Sequence, residues 1–186
     1  MTYNPKKHHR RSIRLKGYNY AQPGAYFVTI VTHQRQLLFG DIVNGETVLN
    51  NMGLIVEAEW LRTAKIRTNV VLDEYVIMPN HIHGIIIITD DEIPVGATGG
   101  SPLQTDTQRP HGPTLHSLGA IMAGFKSAAT KRLNRLRNTP NKPVWQRNYY
   151  DHIIRDEKEW DNIRKYIQTN PSEWGTDLEN PHTQPP

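Results

Sequence analysis

Met78-Pro79-Asn80-His81-Ile82-His83-Gly84-Ile85-Ile86-Ile87-Ile88 is the stretch around which this chain is organised. In a β-strand, residues two apart face the same way. His81 and His83 therefore project together from one face, and Ile82 points to the other. Pro79-Asn80 is turn chemistry, and the isoleucine run that follows has the composition of a buried central strand. Two imidazoles on a rigid strand form most of a metal site. The same pattern is also compatible with histidines that merely fill a sheet, so a third ligand and a nucleophile must decide between the two.

The 186 residues make one domain, or one domain with tails. There is no cysteine, which excludes disulfides and thiolate metal sites and leaves His, Asp, Glu and amide oxygens as donors. Lys and Arg exceed Asp and Glu by 22 to 18, a net charge of +4 before any of 9 histidines is protonated. That excess favours an anionic partner, nucleic acid being the commonest. No apolar run approaches the roughly 20 residues of a membrane span, and the N-terminus lacks the apolar core of a signal peptide. The expected protein is soluble and intracellular, with no membrane partner.

Working outward, 70–78 predicts a strand that pairs with 81–89 across the tight Pro79-Asn80 turn. Residues 26–32 are β-branched and aromatic without alternation, which predicts a strand buried on both faces. Asn44-Gly45 predicts the turn of a small hairpin joining 37–43 to 46–49. Residues 51–65 carry apolar groups at helical spacing behind a capping Asn50 or Asn51. Residues 114–137 do the same over a longer helix, with Leu115, Leu118, Met122, Phe125, Ala129, Leu133 and Leu136 as the stripe. Between them, 91–113 is rich in Gly, Pro, Thr and Gln and has no period; a mobile linker or a substrate-covering loop would both look this way. Residues 144–155 read as an edge strand. Asp156 and Glu159 resemble a capping box, opening a helix that ends at Asn170-Pro171. The polar segment from Ser172 is expected to fray.

Cations cluster in three places. Arg10, Arg11, Arg14 and Lys16 belong to a basic arm that leads into Tyr18 and Tyr20. This is either a solvated tail or a phosphate-binding segment beside rings on which bases stack. Lys126, Lys131, Arg132, Arg135 and Arg137 crowd the second half of the long helix, where they either suit its C-terminal dipole or contact phosphates. Arg147, His152 and Arg155 share the edge segment with aromatic residues.

The last helix offers the missing parts. Tyr166 and Asn170 lie four apart and share a face. An apolar stripe through Trp160, Ile163 and Ile167 would rest that helix on the sheet, near the histidines. His81, His83 and an Asn170 amide oxygen leave positions open on an octahedral ion, which suits Mg²⁺ or Mn²⁺. A core-edge tyrosine and a simple helix terminator are the plainer alternatives. A zinc hydrolase completed by His152 or Asp151 is another.

Pro79-Asn80-His81-Ile82-His83-Gly84 resembles the HUH motif of single-tyrosine transposases, two histidines around a hydrophobic residue. Tyr166-Ile167-Gln168-Thr169-Asn170-Pro171 is similar to the nucleophile segment of REP-associated tyrosine transposases. Leu15-Lys16-Gly17-Tyr18 with Gly24-Ala25-Tyr26-Phe27-Val28-Thr29, Phe125-Lys126-Ser127, and the segment from Trp145 to Arg155 fit the same family in the same order. The resemblance implies an α+β fold, with an antiparallel sheet of four or five strands packed by helices, ferredoxin-like or RRM-like. It implies a basic arm at 1–17, a catalytic domain at 18–174 and a polar tail at 175–186. It further implies metal-dependent cleavage and rejoining of single-stranded DNA beside a hairpin. In that scheme Tyr166 is the nucleophile, and His81, His83 and Asn170 hold Mg²⁺ or Mn²⁺. Arg10, Arg11, Arg14, Lys16, Tyr18, Lys126, Arg132, Arg147, His152 and Arg155 contact DNA, and a homodimer is compatible. The alternatives are a domesticated, non-catalytic hairpin-binding protein and the His-ligated hydrolase.

Overall fold

The computed structural model of the protein describes residues 17–90 and 116–183. Arg10, Arg11, Arg14 and Lys16 of the expected arm, and the expected loop at 91–113, lie outside them. In chain order the elements are β1 (Gly24–Val31), β2 (Gly40–Val43), β3 (Glu46–Leu49), α1 (Asn51–Lys65), β4 (Val70–Ile77), β5 (His81–Ile88), α2 (Leu118–Arg137), β6 (Tyr150–Ile154) and α3 (Glu157–Thr169). The main sheet has four strands in the order β4-β5-β1-β6, every neighbour antiparallel. β1 and β4 thus run in the same direction with β5 between them, the ferredoxin-like arrangement. The expected hairpin forms separately from β2 and β3, with Asn44 and Gly45 both at positive φ as a primed two-residue turn requires. No described helix is long and apolar enough to cross a membrane.

Strand pleating sorts the central strands between two cores. Tyr26, Val28 and Ile30 of β1, with Ile82, Ile86 and Ile88 of β5, face α1 and α2 and meet Trp60, Phe125 and Leu133. Ala25, Phe27 and Ile85 face the other way, against Trp160, Ile163 and Ile167 of α3. This explains the missing alternation in β1, which is covered on both faces. It also places His81 and His83 on the α3 side. Gly84 belongs to the opposite side, where a Cβ would collide with the Trp60 ring. Its bareness lets α1 lie close against β5.

Three local features depart from expectation. The long helix begins at Leu118, not Thr114, because His116 has a left-handed φ of 64° and Ser117 caps the first turn, its Oγ accepting from Ala120 N–H at 3.3 Å. Asn170 keeps right-handed helical angles although it precedes Pro171; its side chain is anchored from the segment that follows. That segment does not fray through 183. It makes a 3₁₀ turn at Trp174–Thr176, buries Asn180 and pairs Glu179 with Arg35 at 2.9 Å.

Candidate active site

His81 and His83 sit at the start of β5, opposite Val31 and Thr29 of β1. Both are buried, and their ring centres are 4.4 Å apart. The amide of Asn80 is oriented by its Nδ2, which donates to the Glu179 and Arg35 carbonyls at 2.7 and 3.2 Å. Its Oδ1 must then accept from His81 Nδ1–H, at 2.9 Å. The His81 proton is thereby fixed on Nδ1, and Nε2 keeps its lone pair. No hydrogen-bond partner reaches that buried Nε2. His83 Nδ1 lies 2.9 Å from Thr29 Oγ1, and its Nε2 lies 3.2 Å from the Tyr166 hydroxyl. With the proton on Nδ1, as in His81, Thr29 accepts and the phenol donates to Nε2.

The third ligand predicted from sequence was Asn170, and the structure adds a carboxylate that sequence reasoning missed. His81, His83 and Asp177 bring one donor atom each within 4.8 Å of one another. Asp177 Oδ2 lies 3.8 Å from His81 Nε2. Asn170 Nδ2 donates to that same Oδ2 at 2.9 Å, and Glu179 N–H donates to Oδ1 at 2.6 Å. Asn170 Oδ1 is buried and has no hydrogen-bond partner. Two orphaned buried acceptors beside a buried carboxylate cost stability unless something satisfies them. A divalent cation does so directly, so the residues fit a metal. Two imidazole nitrogens among oxygen donors suit Mn²⁺ better than Mg²⁺. Asp177 lies beyond the end of α3, just after the 3₁₀ turn at Trp174–Thr176, in a polar stretch with no ligand-like spacing to the histidines. Only the fold brings it in.

Burial sets the protonation states. His81 is pushed down to about 4 by burial, against the opposing charge of Asp177. Burial, and then the neighbouring His81, holds His83 well below the ordinary histidine range. Both rings are neutral near pH 7, as metal ligands must be. Tyr166 is pushed up to about 12, first by burial and then by Asp177, Glu179 and Glu173. A cavity of about 390 Å³ opens here, lined by His83, Tyr166, Asn170 and Asp177 among others.

α3 delivers the tyrosine. Asp156 caps it by accepting from Glu159 N–H at 2.8 Å, though the Glu159 carboxylate turns to Arg155 N–H and His152 instead of closing the capping box. Register along the sheet is set at the β4 bulge between Leu72 and Tyr75. There Asp73 accepts from Trp160 Nε1–H and from Arg164 Nε–H at 2.9 Å, while Gln168 Nε2 donates to Glu74 at 3.3 Å. Gln168 is thus turned away from the histidines.

The remaining predicted residues divide. Lys126 Nζ donates to the carbonyls of Gln146, Arg147 and Asn148 at 2.6, 3.1 and 3.3 Å, and so is a strut for that loop. Arg132 pairs with the buried Glu59 at 2.7 Å, and His152 with Glu159 at 2.7 Å. These three side chains, expected to meet DNA, have internal partners because tertiary contacts reach them first. Tyr18 packs edge-on against Tyr20, ring centres 4.9 Å apart, on the α1–α2 side. Arg147 and Arg155 are exposed. Asp151 pairs in register with Val28, on the face away from the histidines, so it does not join His81 and His83.

Among solved structures, the fold is similar to that of a REP-associated tyrosine transposase determined bound to a REP hairpin. The TM-score is 0.58 at 16% identity, covering 87% of this chain and 74% of that one. A putative transposase from Deinococcus radiodurans aligns over 83% of this chain and 95% of its own, at 14% identity and a TM-score of 0.43. The protein has a transposase-like α+β fold carrying a His-His-Asp cluster able to hold a metal ion. In sequence, an uncharacterized protein of Haemophilus influenzae is 45% identical over 176 residues, 94% of this chain and 95% of its own. The chain belongs to the same family as that protein. No family model matches it.

Proposed function

We propose that the protein is a metal-dependent single-stranded DNA endonuclease and strand transferase, acting beside hairpin DNA through a covalent 5′-phosphotyrosine on Tyr166. The observation that carries this is the Tyr166 hydroxyl at 3.2 Å from His83 Nε2, at the edge of the His81, His83, Asp177 cluster and within one chain. A tyrosine that only filled a core edge would have no reason to be aimed at a paired-histidine site.

Held by His81, His83 and Asp177, with the Asn170 amide oxygen as a further donor, Mg²⁺ or Mn²⁺ would act as a Lewis acid towards the non-bridging oxygens of the scissile phosphate. The phenol oxygen of Tyr166 attacks phosphorus in line, the bond to the 3′ oxygen breaks, and a 3′-hydroxyl leaves. One phosphoester replaces another, so a 3′-hydroxyl can later reverse the step without an energy source. The raised phenol pKa keeps Tyr166 protonated until it attacks. With Asp177 committed to the metal, Glu179 and Glu173, which also raise it and line the cavity, are the carboxylates that can take the proton, which ends on the departing 3′ oxygen. Tyr150, 49% exposed on the cavity wall beside Phe27, offers a ring on which an unpaired base can stack. Arg147, Arg155, Tyr18 and the basic residues Arg10, Arg11, Arg14 and Lys16 are the proposed backbone contacts. Because α3 serves the histidines of its own chain, a homodimer is not needed to complete the site.

The test is a denaturing gel with labelled hairpin DNA bearing unpaired flanks. Wild-type protein with Mn²⁺ is expected to give a covalent adduct that chelator or Tyr166→Phe abolishes. Cleavage that survives Tyr166→Phe would mean that water attacks, as in a hydrolase. Tight hairpin binding without any cleavage would mean a non-catalytic binder.

A further inference from the structure

A second cavity, larger than the tyrosine site, lies elsewhere in the described residues. It is a groove of about 790 Å³ between the second half of α2 and the loop leading to β6. Lys126, Lys131, Arg135 and Arg147 line it, and no Asp or Glu does. Lys126 is spent on the loop carbonyls, leaving Lys131, Arg135 and Arg147 exposed; none of the ion pairs among the described residues uses them. Ser127, Thr130 and Asn141 add uncharged hydrogen-bonding groups to the wall. Lys131 and Arg135 are also four apart on one helix, a like-charge spacing that disfavours the helix itself. The helix C-terminus favours a cation in its last turn. It does not account for Arg147 on the facing loop, nor for a wall without carboxylates. A concentration of unneutralised cations that works against local stability marks a place for an external anion.

We propose that this groove binds the DNA phosphate backbone outside the cleaved segment, through Lys131, Arg135 and Arg147. This rests on the DNA-cleaving function proposed above and adds a second contact surface to it. The two surfaces lie along one segment. Arg147 lines the groove, and Tyr150, three residues later, lines the tyrosine cavity. Three extended residues span at most about 11 Å, so one nucleic acid chain can engage both.

The test is fluorescence anisotropy with the full chain over a salt series, using a blunt hairpin stem and an unpaired strand of equal length. Lys131→Gln/Arg135→Gln is compared with wild type and with Lys65→Gln, which removes an exposed cation from the end of α1. All substituted positions are exposed, and circular dichroism checks that each variant is folded. The double variant is expected to bind roughly tenfold more weakly near 0.1 M salt, and its log–log salt slope to be smaller by about 2. Lys65→Gln should leave the slope unchanged. Loss on the stem assigns the groove to duplex phosphates, and loss only on the unpaired strand assigns it to a flank. An unchanged slope with intact wild-type binding overturns the groove proposal alone. Failure of wild-type protein to bind either DNA overturns the DNA-cleaving function as well.

Discussion

The nitrogen that a metal needs on His83 is the one that Tyr166 already uses. Thr29 engages Nδ1, so Nε2 is left for a cation, and the phenol sits 3.2 Å from it. The two interactions exclude one another. An ordinary hydrogen bond contributes about 0.5–1.5 kcal/mol, so Tyr166→Phe should bind Mn²⁺ about 2- to 10-fold more tightly in isothermal titration. Asp177→Asn keeps the shape of the site and removes the carboxylate from the His81, His83, Asp177 cluster; it should weaken Mn²⁺ by about 10-fold or more. Unchanged affinity in Asp177→Asn would remove Asp177 from the ligand set. At this scale the sequence was partly legible. The alternating histidines and the four-residue spacing of Tyr166 and Asn170 follow from strand and helix periods. Asp177 obeys no period, and Asn80 fixes the His81 tautomer through carbonyls at positions 35 and 179 that no local pattern connects.

Among the elements, α3 is the one whose placement matters to the chemistry. Its apolar side, through Ile163 and Ile167, holds it on the sheet, but apolar contact alone tolerates sliding. Asp73 removes that freedom by binding Trp160 and Arg164, one turn apart, with the Arg164 guanidinium also 5.3 Å from the Trp160 ring centre. Hydrogen bonds to charged groups contribute roughly 1.5–3 kcal/mol. Asp73→Ala should therefore cost about 2 kcal/mol in urea unfolding and slow adduct formation, although it lies outside the cavity. A variant with full stability and full adduct rate would show that α3 needs no such anchor. The stripe through Trp160, Ile163 and Ile167 predicted that α3 rests on the sheet. The stripe alone fits either face of the sheet; only the face shared by Tyr166 and Asn170 pointed towards the histidines. The side is settled by the sheet order, which sends α1 and α2 to the other face.

In the whole molecule, the buried histidine pair links stability to pH. His81 is held near 4 and His83 well below the ordinary value of 6.5, so both folded-state values are depressed. The unfolded chain then binds more protons than the native one below about pH 6.5, and stability falls as pH falls. The metal-free protein should be most stable above that pH and lose roughly 3 kcal/mol through His81 alone on the way to pH 4, at about 1.4 kcal/mol per pKa unit. Urea midpoints at pH 7 and pH 5 in chelator check this, and His81→Gln should flatten the change. Cation pairing was also settled only at this scale. Arg132 and Lys126 looked like free surface charge in sequence, and the fold commits both to internal partners.

The most direct measurement of the central claim is the composition of the covalent adduct. A hairpin substrate labelled at either end is trapped with Mn²⁺ and the protein digested with trypsin. A 5′-phosphotyrosine predicts that the 3′-end label alone stays with the protein, and that mass spectrometry finds it on the peptide beginning at Tyr166. The 5′-end label should leave on a fragment with a free 3′-hydroxyl. An adduct that retains the 5′-end label, one mapped to another residue, or cleavage to two free fragments with no adduct would each contradict Tyr166 as the nucleophile.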